Sequence, residues 1–451
     1  MTGRARLYAV GAQGAVIAAA TQIGDDIAQA VLMTRVGAVG WPVTLVAKAA
    51  LDVLAAAAYL PLTRRRDPAS VMRVLLAAYA AAVAAAWALG RTGRPGAYLV
   101  YVVHECAWTP LTIHWGVYLL AALDAREARR RLPVMFTAAR VGAMIGGFVL
   151  ARAVAYAAAI DLLWAAVALA LIAASLPIGA VTHEVEGAPA PVTDERTGPA
   201  VRDPDTGWRA VWASPLVRAI AISTALMVVT RYGLRVVSLA AISDAKGGDE
   251  NQVAGFLGDL GQIANLIGVL IGLFLVPLLV DRVGVTVLNL GYAAATLVAQ
   301  LGLAAWPGLV IASMARFVDG PLKDAVKTPL SALFYGAEPP MARAPARTLV
   351  FGAVIPLATV ITAGAFALVG GAGGVTALAI LVAVAAGGFV IASALQNRAW
   401  RRRLRALLRT TLAAAPPGDP ARAIAIAAQL APLTAALPPP EAAAIASGLA
   451  A

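Results

Sequence analysis

IASMARFVDGPLKDAVKTPLSALFY, residues 311–335, has the length and apolar character of a membrane-crossing helix, yet it carries Arg316, Asp319, Lys323, Asp324 and Lys327. The chain has only four lysines, and two of them fall here, one helical turn apart. A charged side chain near the middle of a bilayer costs on the order of 3 kcal/mol on insertion scales. Five such charges against lipid would not insert. They must face protein or water-filled space, which makes this stretch the first place to look for function.

Outward from it, the whole chain reads as membrane protein. Hydrophobic residues make up 61% of the 451 positions and charged residues 13%, about half the charged share of a soluble domain. The apolar runs are long and continuous rather than alternating, so the spans are helices and not barrel strands. A net charge of +12 would suit nucleic acid. The arginines instead concentrate in short loops and a tail beside apolar spans, the orientation signal of a membrane protein, and no nucleic-acid partner is expected. The lone Cys106 gives no disulfide framework and no cysteine metal cluster. Arg4 and Arg6 precede an apolar run as in a signal peptide, but the run continues through Gln22, Asp25 and Asp26, so an uncleaved first helix is expected.

Apolar windows of about 20 residues fall near 7–33, 41–62, 70–90, 96–122, 132–156 and 160–181, then 215–243, 252–280, 284–304, 308–335, 347–370 and 374–396. That is six, a break, and six. The expected organisation is an N-terminal six-helix half (1–181), a polar linker containing Trp208 and Trp212 (182–214), a C-terminal half (215–396) and a basic tail (397–451). Arg64, Arg65 and Arg66 follow the second span, Arg126, Arg129, Arg130 and Arg131 the fourth, Arg343 and Arg347 the tenth. The tail adds Arg398, Arg401, Arg402, Arg403, Arg405 and Arg409. The opposite loops offer only Arg35, Arg91, Arg94 and Lys246. Both termini are therefore expected in the cytoplasm, and the protein as multi-pass in the inner membrane.

Two six-helix halves joined by a cytoplasmic loop match the all-α major facilitator architecture, a parallel pair of halves each built from inverted triplets. Val280-Asp281-Arg282-Val283-Gly284, between spans eight and nine, resembles the D-R-x-G part of the facilitator loop signature. Small-xxx-small pairs at Gly142/Gly146 and Gly268/Gly272 permit close backbone approach.

In that architecture spans one, four, seven and ten line a central cavity, and the intramembrane charges fall there. Span one has Gln22, Asp25, Asp26 and Gln29, with Gln22, Asp25 and Gln29 on one helical face. Span four has His104, Glu105, Trp108 and His114; span seven has Arg231 and Arg235, one turn apart. Span ten has Arg316, Asp319, Lys323 and Lys327 on one stripe with Asp324 beside it. Spans one and four together are acidic, seven and ten basic. The expected substrate ligands are Arg231, Arg235, Lys323, Lys327, Arg316 and Trp108, arginine binding an anion bidentately and lysine as a point charge. Asp25, Asp26, Glu105, His104, Asp319 and Asp324 are expected in coupling or gating. The plain alternative is charge pairing across the cavity or within a helix, as Asp319 to Lys323 permits. Lys48, Asp52, Arg140, Arg152 and Asp259 read as helix–helix pairs.

His104-Glu105 lacks the second histidine of a zinc-protease motif, Trp108 standing in its place, and no metal site is expected. There is no Walker loop and no dinucleotide fingerprint, so neither an enzyme nor a cofactor is expected. The tail begins with a basic amphipathic helix, Trp400 to Leu412, suited to an anionic leaflet, and becomes Ala-rich after Pro416, which reads either as the start of a soluble helical-repeat domain, with room for a soluble partner, or as a floppy end.

Several stretches also resemble a known family. Glu127-Ala128-Arg129-Arg130-Arg131-Leu132-Pro133, followed by Phe136 and Gly142, is similar to the loop and fifth helix of the nucleotide (ATP/ADP) translocase family. Arg231 to Gly284, with Glu250, Phe256 and Asp281-Arg282, and Arg316 to Pro340, with Lys323, Pro329 and Pro339-Pro340, resemble the second half of the same group. The chain departs at Asp25 and Ala28, where members carry Arg and Lys, and at Ser331 and Ala332, where they carry Lys and Glu. The resemblance implies a secondary transporter for an organic or phosphorylated anion such as a nucleotide, with Lys323 as the basic position carried over. Two other readings stay open: a non-transporting signalling or scaffold module, and a lipid flippase.

Overall fold

The computed structural model describes residues 3–122, 125–176, 208–338 and 340–413; most of the expected linker and the end of the tail lie outside them. Every regular element among the described residues is helical, as a bilayer demands, since a helix satisfies its own backbone where no water can. The order is α1 (Gly3–Arg35), α2 (Trp41–Arg65), α3 (Pro68–Gly90), α4 (Arg94–Ala122), α5 (Ala125–Ala153) and α6 (Leu163–Ser175). After the linker come α7 (Trp208–Ala213), α8 (Pro215–Ala245), α9 (Glu250–Leu270) and α10 (Val276–Val283), the last two joined by a π turn, Ile271–Leu275. They are followed by α11 (Val285–Ala305), α12 (Leu309–Phe317), α13 (Thr328–Gly336), α14 (Pro340–Leu349) and α15 (Ile355–Ala413).

Eight helical stretches among the described residues are long and apolar enough to cross a membrane, and Ala159–Ser175 is a shorter apolar one. α1 and α4 are long enough but too polar to count with them, and Leu309–Gly336 is charged and broken into three elements. Together these recover the twelve expected segments, and the three exceptions are the helices richest in candidate residues. Outward side chains such as Phe274, Val298, Leu368 and Val384 are 68–78% exposed, a surface that only lipid would cover without aggregation.

Local chemistry sets the breaks. Asp67 caps α3, its carboxylate accepting the Ser70 amide at 2.9 Å, with Pro68 at the first helical position. The D-R-x-G stretch ends at Gly284, whose φ of 83° only glycine adopts freely, and α11 starts immediately after it. Gly374, with φ 65°, breaks α15 between the two expected spans. The tenth span is not one α-helix: Val318–Lys327 is wound as a π-helix around Pro321. Proline has no N–H to give and its ring crowds the carbonyl one α-turn back, and a wider turn relieves both.

The start of the tail is helical. α15 runs on without a break past residue 396, and Trp400 and Leu404 are fully buried. Trp400 packs edge-on against Phe334 at 5.6 Å and Arg403 bonds Glu338 at 3.3 Å. This apolar face is covered by protein, leaving Arg398, Arg402 and Arg405 exposed.

The chain clusters into two compact units. The first is Met1–Val201, Val236–Val269 and Ala363–Val375; the second is Arg202–Arg235, Leu270–Thr362 and Thr376–Ala451. In the first, α1 packs on α4, α5 and α6, and α3 on α4 and α6. The Gly142/Gly146 pair acts here: a Cβ at Gly142 would run into the backbone of Ala15, and one at Gly146 would lie 2.6 Å from the Ala19 carbonyl oxygen. Gly147 and Gly258 bring α5 equally close to α9. Arg35, at the end of α1, ties to Glu250 at the start of α9 at 2.7 Å and to the Gly90 carbonyl of α3. In the second unit α11 packs on α12 and on the π-helix, and α7 on α14.

Candidate functional site

Two polar clusters emerge, one in each unit. In the first, Lys48 on α2 is the hub. Its Nζ lies 2.6 Å from Asp52 and 3.6 Å from Glu105 on α4, and all three side chains are at most 24% exposed. Next to Glu105, His104 is buried, stacked edge-on against Tyr79 of α3 at 5.7 Å with Nδ1 3.4 Å from the tyrosine oxygen. Gly24 leaves room for this ring, because a Cβ there would overlap it. Asp25 and Glu105 both lie near enough to act electrostatically on His104. Asp26 is buried and accepts a hydrogen bond from Gln22 at 2.8 Å, beside Gly261 of α9. Cys106 turns its Sγ toward the Lys48 carbonyl at 4.0 Å. Trp108 is half-buried one turn beyond Glu105, and its carbonyl accepts from Thr112 at 3.0 Å. His114 belongs elsewhere: it bridges Tyr59 of α2 at 2.9 Å and the Pro68 carbonyl at 2.7 Å.

In the second unit the centre is Asp319, 2% exposed. Its two oxygens take Arg231 Nε at 2.9 Å and Arg235 Nε at 3.4 Å. The one-turn spacing puts both arginines on one face of α8, and their long side chains converge so that one acid is clamped by both. Arg316 and Lys323 also act on Asp319 electrostatically. Lys323 is 20% exposed and bonds Asp324, itself 52% exposed, at 3.0 Å. Lys327 is buried, donates to Asn289 Oδ1 at 2.6 Å, and lies 5.5–5.8 Å from the ring centroids of Phe389 and Phe334. Asn289 is held in turn by Asn397, and Asn397 by the Thr286 carbonyl. Among the described residues, this amine meets an amide oxygen and two π faces, and ring faces attract a cation electrostatically.

The arrangement brings Glu105, His104 and Asp25 together in the first unit, and Arg231, Arg235, Arg316, Asp319, Lys323 and Asp324 in the second. Lys327 stands slightly apart behind its amide. Tyr79 and Asn289 belong to these clusters although nothing in their local sequence marks them. Lys48 and Asp52, expected in helix–helix pairs, meet each other within α2, and Lys48 also reaches Glu105 on α4; Arg152 meets Asp259 at 2.8 Å. Among the described residues no group of three His, Cys, Asp or Glu side chains is placed to hold a metal ion.

No protein-family model matches the chain, and no curated protein matches it significantly. Solved structures do. The nucleoside transporter NupG superposes with a TM-score of 0.61 at 13% identity, over 90% of this chain and 100% of that one. A bacterial homolog of the human lysosomal transporter Spinster, inward-facing and unoccupied, gives 0.56 at 14% identity, over 89% and 98%. The xylose transporter XylE from E. coli, inward-open, gives 0.57 at 12% identity, over 86% and 95%. With its helix order and its charged interior helices, the chain is a multi-pass, all-helical membrane protein with the major facilitator fold.

Proposed function

We propose that this protein is a secondary transporter that carries an organic or phosphorylated anion by alternating access, and that the anion is held by Arg231, Arg235, Lys323 and Arg316. The observation that carries the reading is the excess of positive charge around Asp319. Four cations act on one buried carboxylate, and the other acid nearby, Asp324, is half exposed beside Lys323. A guanidinium presents five N–H donors in a planar fork. Arginine forks with a lysine nearby suit phosphate or carboxylate geometry.

Nucleotides are the first anions to test. The resemblance of Arg316–Pro340 to the nucleotide translocases supports them, as does the fold shared with a nucleoside transporter. On this reading the first unit, with its carboxylates around Lys48, couples transport to a cation. The arginine-rich loops support an inner-membrane protein with cytoplasmic termini.

A second reading, a non-transporting module, draws on one observation: Asp319 already pairs with both arginines of α8. One measurement separates the two. The purified protein is melted with nucleotides, phosphorylated metabolites, amino acids and carboxylates in sodium-free buffer, and again as Lys323→Ala. A ligand that binds the folded state raises the melting temperature by mass action. Stabilisation by one anionic class, weakened about tenfold in apparent affinity by Lys323→Ala, supports the carrier; about 1.4 kcal/mol is one such contact. No stabilisation by any anion sinks the carrier and favours the module or a lipid flippase.

A further inference from the structure

Helix α1 carries the same two kinds of side chain twice at the same spacing, and the two pairs behave differently. Gln22 and Asp26, one turn apart, close on each other at 2.8 Å. Asp25 and Gln29, also one turn apart, do not. Gln29 is 0% exposed, and neither its amide nitrogen nor its amide oxygen has a hydrogen-bond partner among the described residues. Asp25 Oδ1 is buried and equally without one.

An orphaned buried polar group is costly, and an ionised oxygen more so. The surrounding charge does not relieve this. Lys48 is engaged by Asp52 and Glu105, and Asp25 shares its neighbourhood with Glu105, His104 and Tyr79. The local field is negative. An anionic oxygen and an amide oxygen on one helical face, in that field, are hard donors of the kind small hard cations take. A single carboxylate balances a single positive charge, so the cation is monovalent.

We propose that Asp25 and Gln29 are the protein ligands of a Na⁺ site in the first unit, joined by water on the half-buried side of Asp25. The neighbouring Gln22–Asp26 pair shows that side chains at this spacing on α1 can converge; at Asp25 and Gln29 the ion takes the place of the direct hydrogen bond. The inference deepens the transporter reading, since a cation bound inside a transporter is positioned to couple its cycle. Binding itself does not depend on that reading.

The test uses the purified full chain in choline chloride at fixed pH, without anionic substrate. Sodium, potassium and choline chlorides are added at matched ionic strength while thermal unfolding and Na⁺ binding heat are followed. The expected result is a saturable Na⁺-specific stabilisation, lost in Asp25→Asn and weakened about tenfold or more in Gln29→Leu, in line with the loss of one charge-assisted contact. Gln29→Glu, which keeps an oxygen donor and adds a charge, is the variant to use should leucine disturb folding; it is expected to shift the site toward Ca²⁺. Equal responses to all three salts overturn the proposal. So does Gln29→Leu that is simply more stable and binds Na⁺ like the parent, because the amide is then only a frustrated core residue. Stabilisation that follows pH through Asp25 but ignores Na⁺ assigns a proton instead, and also overturns it. None of these outcomes touches the anion experiment, which is run without sodium.

Discussion

The two polar clusters are opposites in sign and in how they are held. In the first unit four carboxylates, Asp25, Asp26, Asp52 and Glu105, have one lysine, Lys48, among them. In the second, five cations, Arg231, Arg235, Arg316, Lys323 and Lys327, have two acids, Asp319 and Asp324. In each unit one minority charge serves as a hub that takes two partners: Lys48 holds Asp52 and Glu105, and Asp319 holds both arginines of α8. The difference teaches that a membrane chain can gather like charges of either sign around one buried opposite charge.

The sharpest way to break that comparison is to remove a hub. Asp319→Asn leaves two arginines in a buried setting without their acid, and breaking such a pair costs about 3–5 kcal/mol. Thermal unfolding in detergent should show a larger loss for it than for any other single substitution in either cluster. Adding Arg231→Gln to it should return part of the loss. If Asp319→Asn melts like the parent, the acid is not the structural centre of the cluster.

Lys327 tests whether surplus charge or packing matters more in the second unit. Lys327→Ala removes the buried stem and the donor that Asn289 uses, with an expected loss of about 2 kcal/mol. Lys327→Met keeps the stem and should recover roughly half of it. Equal losses for both would locate the whole effect in the ammonium.

A change away from both clusters calibrates these numbers. Asp67→Ala removes the cap of α3 and should cost about 1 kcal/mol. The hydrogen bonds from the Ser70 side chain and amide hold the Asp67 carboxyl below the ordinary carboxylate range. Because the folded-state value is depressed, the stabilisation is present above the unfolded carboxylate pKa and fades as pH falls through the lower folded value. Parent and variant should therefore converge in melting temperature at acid pH and separate near neutrality. The smallest effect expected is that of Glu105→Gln. Lys48 keeps Asp52 at 2.6 Å and loses only the longer contact at 3.6 Å, worth well under about 1 kcal/mol.

Much of the architecture is readable from the chain. The breaks between spans and the facing of Arg231 and Arg235 follow from hydropathy and one-turn spacing, both local properties. What is not readable is who meets whom over long separations. Glu105 finds Lys48, Lys327 finds Asn289, and Arg35 finds Glu250. No local pattern records these, because each depends on which helix faces pack together. The π winding of Val318–Lys327 is hidden for a different reason. Pro321 signals that an α-helix must give way but not how, and the wider turn reorients the Asp319–Lys323–Lys327 stripe that a 3.6-residue period draws. The partner of Trp400 is hidden for a third: Trp400 is an anchor in lipid or in protein, and its sequence context does not choose.

The single cysteine has a practical consequence for watching this molecule work. Cys106 is half-buried, next to Glu105 in sequence, and its sulfur faces the Lys48 backbone at 4.0 Å. One substitution, Cys106→Ser, makes the chain thiol-free, so fluorophores or spin labels can then be introduced anywhere in pairs without background. Left in place, the native thiol is itself a clock: its alkylation rate, followed while ligands or ions are added, reports how often the wall between α2 and α4 opens to water.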